Sequence, residues 1–199
     1  MRRRAVIDLS LLYHSPPQKK TALFPFPHPR HTLAWAAAAP PARTRYRLPR
    51  PPQVLPPARL APSACNSQPY HFYVAVDGTA RAVGAATQSP GMNKFAGDCP
   101  AFIVVAEQPY NRSAAVGAKL KDQDYRAADI GLAVSQLVYR AHELGLSTCI
   151  LGWFDEKTLQ ALLNTNARVR LIIAIGYARA DDALRTKKRK SLEELVTWL

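Results

Sequence analysis

Apolar residues follow two different periods in the part of the chain after about residue 59. Residues 71–76, 101–106, 147–151 and 169–175 are short runs rich in apolar, aromatic and β-branched residues, and each run predicts a β-strand. The run at 101–106 is apolar at every position, as a strand buried on both faces would be. We therefore expect three central strands among these runs.

The longest helix is predicted between residues 125 and 144. Its apolar positions lie three or four residues apart, which places them on one face of a helix: Ile130, Val134, Leu137, Ala141 and Leu144. Gly145 follows and supplies a helix stop, because glycine adopts the left-handed conformation without steric cost.

Two further helices have recognisable start signals. Asp155 is suited to cap a helix that runs to about residue 163, because its carboxylate accepts hydrogen bonds from N–H groups of the first turn. Residues 191–199 have a helical period, and Ser191 is followed three residues later by Glu194, which is the pattern of a capping box. Strands and helices thus alternate after residue 59, and the chain length favours a single domain.

Residues 1–58 differ from the rest of the chain in composition. They hold 12 of the 17 prolines and 10 of the 27 lysines and arginines, with Asp8 as the one acidic residue. Proline removes a backbone donor and interrupts helices, so the prolines at positions 49–57 are expected to exclude a helix before Ala61. This composition fits a disordered basic arm, a transit peptide or a wrongly assigned reading frame.

The net charge of +13 would favour a nucleic-acid or membrane partner. Residues 59–199, however, carry 17 basic and 13 acidic residues, so most of the excess positive charge lies in residues 1–58. Three cysteines without a C-x-x-C pair give neither a disulfide framework nor a zinc site, and the five histidines form no metal-binding spacing. The apolar run at 33–39 is too short to span a membrane. These features indicate a soluble protein of the reducing cytoplasm without a metal.

The loop before the first predicted strand carries the most specific motif. Residues 61–70 read A-P-S-A-C-N-S-Q-P-Y, which fits either an ordinary capped turn or a loop that binds an amide-rich heterocycle. Together with the following H-F-Y-V, they resemble the nitroreductase-family pattern A-P-S-x-x-N-x-Q-P-W/Y-x-F. Further stretches that resemble the family follow in order at residues 95–105, 129–146, 148–154, 173–177 and 187–195. The resemblance covers about residues 59–199.

This resemblance implies an α+β fold, with a central, mainly antiparallel sheet flanked by helices, and a homodimer with FMN at each end of the interface. The long helix carries Ala127, Ala128 and Gly131, which would let a partner helix approach closely, although packing within the monomer explains these small residues equally. NADH or NADPH would be the electron donor. No side-chain nucleophile is required, because the flavin carries the hydride.

The resemblance also assigns residues of the motif loop to the cofactor. Ser63 and Asn66 would lie near the isoalloxazine, with Gln68 nearby supporting the loop. Neutral hydrogen bonds suit this position, since the flavin edge alternates carbonyl acceptors with an N–H donor.

A second set of cofactor residues is assigned later in the chain. Ile150, Leu151 and Gly152 would lie against the ring near its reactive nitrogen, where a backbone N–H stabilises arriving charge. Lys187 and Arg189 would contact the FMN phosphate. From the residues alone, the first group equally fits a buried strand end with a turn glycine, and the second a solvated charge run.

One family element has no clear counterpart in this chain. Family members begin with an R-x-S-x-R-x-F/Y motif that supplies much of the phosphate and pyrimidine binding, and residues 43–47 (R-T-R-Y-R) resemble it only faintly. Charge-assisted hydrogen bonds are worth roughly 1.5–3 kcal/mol each, so losing several of them would weaken FMN binding substantially.

The expected function is the transfer of hydride or electrons from NADH or NADPH, through FMN, to a nitroaromatic, a quinone or a similar small molecule. Another flavin reaction, such as reductive dehalogenation, is the alternative within the fold. The alternative from a different class is a degenerate, cofactor-poor protein whose basic arm binds nucleic acid or another anionic partner. Residues 107–124 contain no pattern that selects a substrate.

Overall fold

A four-stranded sheet forms the centre of the computed structural model, which describes residues 51–88, 90–178 and 187–199. Its strands are β1 (Tyr70–Val76), β2 (Ala101–Glu107), β3 (Ser147–Leu151) and β4 (Val169–Gly176). They lie in the order β1-β2-β4-β3, and every neighbouring pair is antiparallel. All four predicted strands are confirmed. Because β1 and β3 lie at the edges, two strands are central rather than the expected three.

The helices of the described residues include the three that were predicted. They are α1 (Leu55–Arg59), α2 (Asp77–Ala86), α3 (Arg112–Lys121), α4 (Arg126–Glu143), α5 (Glu156–Leu162) and α6 (Leu192–Leu195). Gly145 follows α4 with a φ of 73°, as expected for a helix stop. Asp155 caps α5 by accepting a hydrogen bond from the N–H of Thr158 at 3.1 Å. Ser191 and Glu194 form the capping box of α6, but this helix ends at Leu195 instead of continuing to residue 199, because the backbone is extended at Val196.

Helices α2 and α3 were not predicted, because small residues rather than large apolar ones form their contacts. The buried residues of α2 are Ala80, Val83, Gly84 and Ala86. A Cβ added to Gly84 would lie 2.7 Å from the carbonyl oxygen of Ala96, so the helix approaches neighbouring backbone closely. In α3 the one buried residue is Ala114. Neither helix shows the apolar period that marks α4.

The core has two parts, one on each face of the sheet. On one face, Phe102 and Val104 of β2 pack with residues of α2 and with Leu159 of α5. On the other, Ile103 and Val105 of the same strand pack with α4. The alternation of side chains along β2 thus feeds both layers, which explains why every position of the predicted run is apolar.

Helix α1 corrects the expectation that prolines exclude a helix before Ala61. Pro56 and Pro57 lie in its first turn, where a missing N–H group would have no partner within the helix. Val54 and Ala58 are fully buried against the α4 side of the core. The packed domain therefore includes residues before 59. The segment at 43–47 lies outside the described residues.

Candidate functional site

The motif loop, residues 61–69 and hereafter the APS loop, is tightly coiled. Cys65, Asn66 and Gln68 all have a positive φ, between 48° and 52°. The hydroxyl of Ser63 accepts a hydrogen bond from the backbone N–H of Gln68 at 3.0 Å. The carboxamide of Gln68 donates to the backbone oxygen and to Oδ1 of Asn66, at 3.3 and 3.2 Å. The structure thus brings the three predicted residues of this loop together.

Two residues that the sequence did not single out hold the APS loop to the helices. The carboxylate of Asp129, in the first turn of α4, accepts a hydrogen bond from the backbone N–H of Ala64. Asn111, which caps α3, donates from its side chain to the oxygen of Cys65 at 2.9 Å and from its backbone to the hydroxyl of Ser67 at 2.8 Å. The sequence offered one signal for Asp129, which is that a polar residue lies beside the buried face of a predicted helix.

The second predicted set lies where β3 ends. Ile150 is exposed, Leu151 is buried and Gly152 is exposed. A Cβ added to Gly152 would meet no atom within 4 Å, so the backbone there borders open space. Asn93, also missed from the sequence, steadies the following turn, since its side chain donates to the oxygens of Thr87 and Trp153 at 3.1 and 3.3 Å.

The basic pair lies on the exposed C-terminal segment. Lys187 and Arg189 are both exposed, and among the described residues neither forms a salt bridge with an acid. Lys187 is close enough to β3 to act on Cys149. Burial raises the pKa of that thiol, and the positive charge of Lys187 opposes the increase. The charge of Lys187 therefore acts on a residue in the middle of β3.

The APS loop lies at one end of the sheet, and β3 ends at the opposite edge, level with the middle of the other strands. Tyr70, which follows the loop, is paired with Glu107 at the end of β2, whereas Leu151 is paired with Ile172 in the middle of β4. Two strands separate β1 from β3, which amounts to roughly 14 Å at the usual strand spacing. No described hydrogen bond joins the loop to residues 150–152. Within a single chain, the two predicted groups of cofactor-binding residues are therefore separated.

The sequence matches the Nitroreductase family over residues 31–177, which is more than half of the chain. The chain belongs to the nitroreductase family. The match confirms the resemblance seen in the motif, and it begins well before residue 59. It includes the APS loop and residues 150–152 but ends before Lys187 and Arg189.

Solved structures support the nitroreductase-like fold. A nitroreductase family protein from Streptococcus pneumoniae is 18% identical, with a TM-score of 0.67, and the alignment covers 86% of this chain and 96% of that one. An FMN-dependent nitroreductase from Clostridium difficile is 20% identical, with a TM-score of 0.59 and coverages of 80% and 88%. A protein from Exiguobacterium sibiricum, solved in complex with FMN, is 17% identical, with a TM-score of 0.67 and coverages of 86% and 93%. Among curated protein sequences, none matches this chain.

In this nitroreductase-family chain an ionic cluster adjoins the APS loop. Arg126, at the start of α4, binds both carboxylate oxygens of Asp124, at 2.9 and 3.0 Å, and Arg170 pairs with Glu107. The hydroxyl of Tyr110 donates to Asp124 at 2.7 Å. Hydrogen bonds from Arg126 and from Tyr110 hold the pKa of Asp124 well below its usual range. The cluster fixes the connection between α3 and α4, the two helices that hold the loop.

Two properties of the described residues concern metals and membranes. In the described parts of the chain, no three His, Cys, Asp or Glu side chains are grouped so that they could hold a metal ion. No helix among the described residues is long and apolar enough to cross a membrane.

Proposed function

We propose that this protein is an FMN-dependent oxidoreductase that takes hydride from NADH or NADPH and reduces a nitroaromatic, a quinone or a similar electron-poor molecule. Family membership supports the flavin chemistry. The observation that carries the proposal is that the APS motif forms a compact loop, held by Asp129 and Asn111, that presents the polar groups a flavin ring requires.

The donors of the APS loop fit the pyrimidine edge of a flavin. Asn66 is exposed, and its Oδ1 is occupied by Gln68, while the described residues give its Nδ2 group no hydrogen-bond partner. That N–H group suits a carbonyl acceptor of the ring. Ser63 is half-buried, and its oxygen already accepts from Gln68, so its hydroxyl proton can still be donated.

The end of β3 and the basic segment fit the rest of the cofactor. The backbone at Gly152 borders open space, so a planar ring can approach its N–H, which would stabilise negative charge on the reduced ring. Lys187 and Arg189 supply cations that have no acidic partners among the described residues, as a phosphate requires. When bound, FMN would supply the hydride transfer. The residues of this chain would orient the ring and neutralise its phosphate.

A homodimer would unite the two halves of the site. Since the APS loop and the end of β3 lie at opposite edges of one sheet, the loop of one copy and the strand end of a second copy can face each other across an interface. We therefore propose that each flavin is bound between two copies of the chain. The protein as a whole would be cytoplasmic, with small-molecule substrates.

The test is reconstitution with FMN. The purified chain is incubated with FMN, freed of unbound flavin, and examined by visible absorption before and after anaerobic addition of NADH or NADPH. Flavin bands that are retained and then bleach would support the proposal. A colourless protein that cannot be loaded would contradict it and would favour the cofactor-poor alternative.

A matched pair of variants localises the site. Asn66→Ala should weaken FMN binding by about 3- to 10-fold, the value of one neutral hydrogen bond. Asn164→Ala is the control, because Asn164 is also an exposed asparagine with a positive φ, of 48°, but follows α5 away from the loop. Equal loss of binding in both variants would contradict the assignment of Asn66.

A further inference from the structure

The carboxylate of Asp129 is buried, and among the described residues its one hydrogen-bond donor is the backbone N–H of Ala64. The residue is 4% exposed. Its two oxygens lie 3.1 and 3.2 Å from the same donor, the backbone N–H of Ala64. Among the described residues it forms no salt bridge. The contact joins positions 65 residues apart in the sequence.

Burying a carboxylate without a cation is costly, so its position has to be supported by dipoles. Asp129 lies in the first turn of α4, where the free N–H groups of the helix favour a negative charge. The N–H of Ala64 adds a charge-assisted hydrogen bond. An apolar residue in this place would pack as well in the core, and it would leave the N–H of Ala64 without its partner.

The APS loop is bonded to this carboxylate near its start, and the charge of the carboxylate acts on the residue that follows the loop. Ala64 lies near the start of the loop, between Ser63 and the left-handed residues that follow. Tyr70 lies just after the loop, and its buried hydroxyl has no hydrogen-bond partner among the described residues. Burial raises the pKa of Tyr70, and the charge of Asp129 raises it further.

We propose that Asp129 is a positioning residue for the cofactor: by holding the N–H of Ala64, it fixes the direction in which Ser63 and Asn66 present their polar groups. The inference rests on the proposed function of the APS loop as part of the flavin site. It adds a residue on α4 that itself need not touch the flavin.

Two variants of Asp129 and one control test this role in the full-length protein. Asp129→Leu keeps the branching at Cγ and removes the acceptor, whereas Asp129→Asn keeps one oxygen that can accept from Ala64. Ile130→Val is the control, because Ile130 is buried in the same turn of α4 but has no contact with the loop among the described hydrogen bonds. Hydrogen exchange of the Ala64 amide and the dissociation constant of FMN are measured for each protein.

We expect Asp129→Leu to raise the exchange rate of the Ala64 amide and the FMN dissociation constant by about 10-fold or more, the loss of one charge-assisted hydrogen bond. Asp129→Asn should restore part of both values. Ile130→Val should change neither beyond its effect on global stability. Exchange at amides of β2 serves to separate local loosening from unfolding.

The outcomes distinguish this inference from the proposed function. If the wild-type protein binds FMN and Asp129→Leu binds it equally well, the positioning role is overturned and the proposed function stands. Unchanged exchange at Ala64 in a folded Asp129→Leu variant overturns the role as well. If the wild-type protein binds no FMN, the proposed function fails and the role in cofactor binding fails with it, while exchange at Ala64 still reports whether Asp129 holds the loop.

Discussion

The three cysteines of the chain lie in three different environments. Cys65 is exposed in the APS loop, Cys149 is half-buried on β3, and Cys99 is buried. Burial raises the pKa of the Cys99 thiol to about 12 from its ordinary value of 9.0. For Cys149, burial also raises the pKa, and Lys187 limits the increase. The reactivity of each thiol should follow from these surroundings.

We predict that iodoacetamide modifies Cys65 first, Cys149 more slowly and Cys99 last in the folded protein at about pH 8.5. The reactive species is the thiolate, and at this pH a raised pKa leaves less of it. Mass spectrometry of the labelled peptides gives the three rates. Labelling of Cys99 as fast as that of Cys65 would show that the thiol is not buried.

The raised pKa of Cys99 also determines the direction in which the free energy of unfolding changes with pH. The thiol of Cys99 keeps its proton more firmly in the folded chain than in the unfolded chain. Its contribution to stability is therefore fully present below about pH 9 and is lost as the pH rises towards 12.

At the scale of elements, α3 connects the fold to the candidate site through its cap. The side-chain oxygen of Asn111 accepts a hydrogen bond from the N–H of Ala114 at 2.9 Å, which is the helix cap. Its side-chain NH₂ group donates to the oxygen of Cys65. One carboxamide thus serves the helix with its oxygen and the APS loop with its nitrogen.

Two substitutions of Asn111 separate these tasks. Asn111→Ala should lower the free energy of unfolding by about 0.5–2 kcal/mol through loss of the cap. Asn111→Asp keeps an acceptor for the cap and loses the donor to Cys65, so it should accelerate alkylation of the Cys65 thiol with a smaller loss of stability. Urea unfolding and labelling rates check the two effects. If both variants lose stability equally, the cap and the loop contact are not separable.

The sequence predicted elements well where large apolar residues repeat. The period of α4 and the apolar runs of β2 and β4 were visible because these elements bury large side chains, α4 in one layer of the core and the two strands in both layers. It failed for α2, whose contacts are made by alanine, Val83 and Gly84, since small residues carry little periodic signal. It also failed for α1, where prolines occupy the tolerated first turn.

At the scale of the whole molecule, two surfaces support the proposed homodimer. Helix α4 exposes Leu132, which is 46% accessible, beside the small residues Ala127, Ala128 and Gly131. The C-terminal segment, residues 187–199, is exposed throughout. It includes Trp198, which is 91% accessible. Apolar surfaces of this kind suit burial against a second copy of the chain.

We predict that Leu132→Glu dissociates the dimer, because a carboxylate would be buried against the partner helix without a cation. Sedimentation velocity measures the change in mass. The control is Leu120→Glu, since Leu120 is 78% accessible and lies on α3 rather than on α4. A wild-type chain that sediments as a monomer, or a Leu132→Glu variant that stays dimeric, would contradict an interface through α4.

The sequence by itself determined the family, the four strands, the long helix and the local motif, because these depend on the order and spacing of neighbouring residues. Only the tertiary structure showed that Asp129 and Asn111 hold the APS loop, since those contacts join residues 65 and 46 positions apart. It also decided that the loop and Gly152 lie at opposite edges of one sheet. Strand order comes from the packing of both faces of the sheet, which no local pattern encodes.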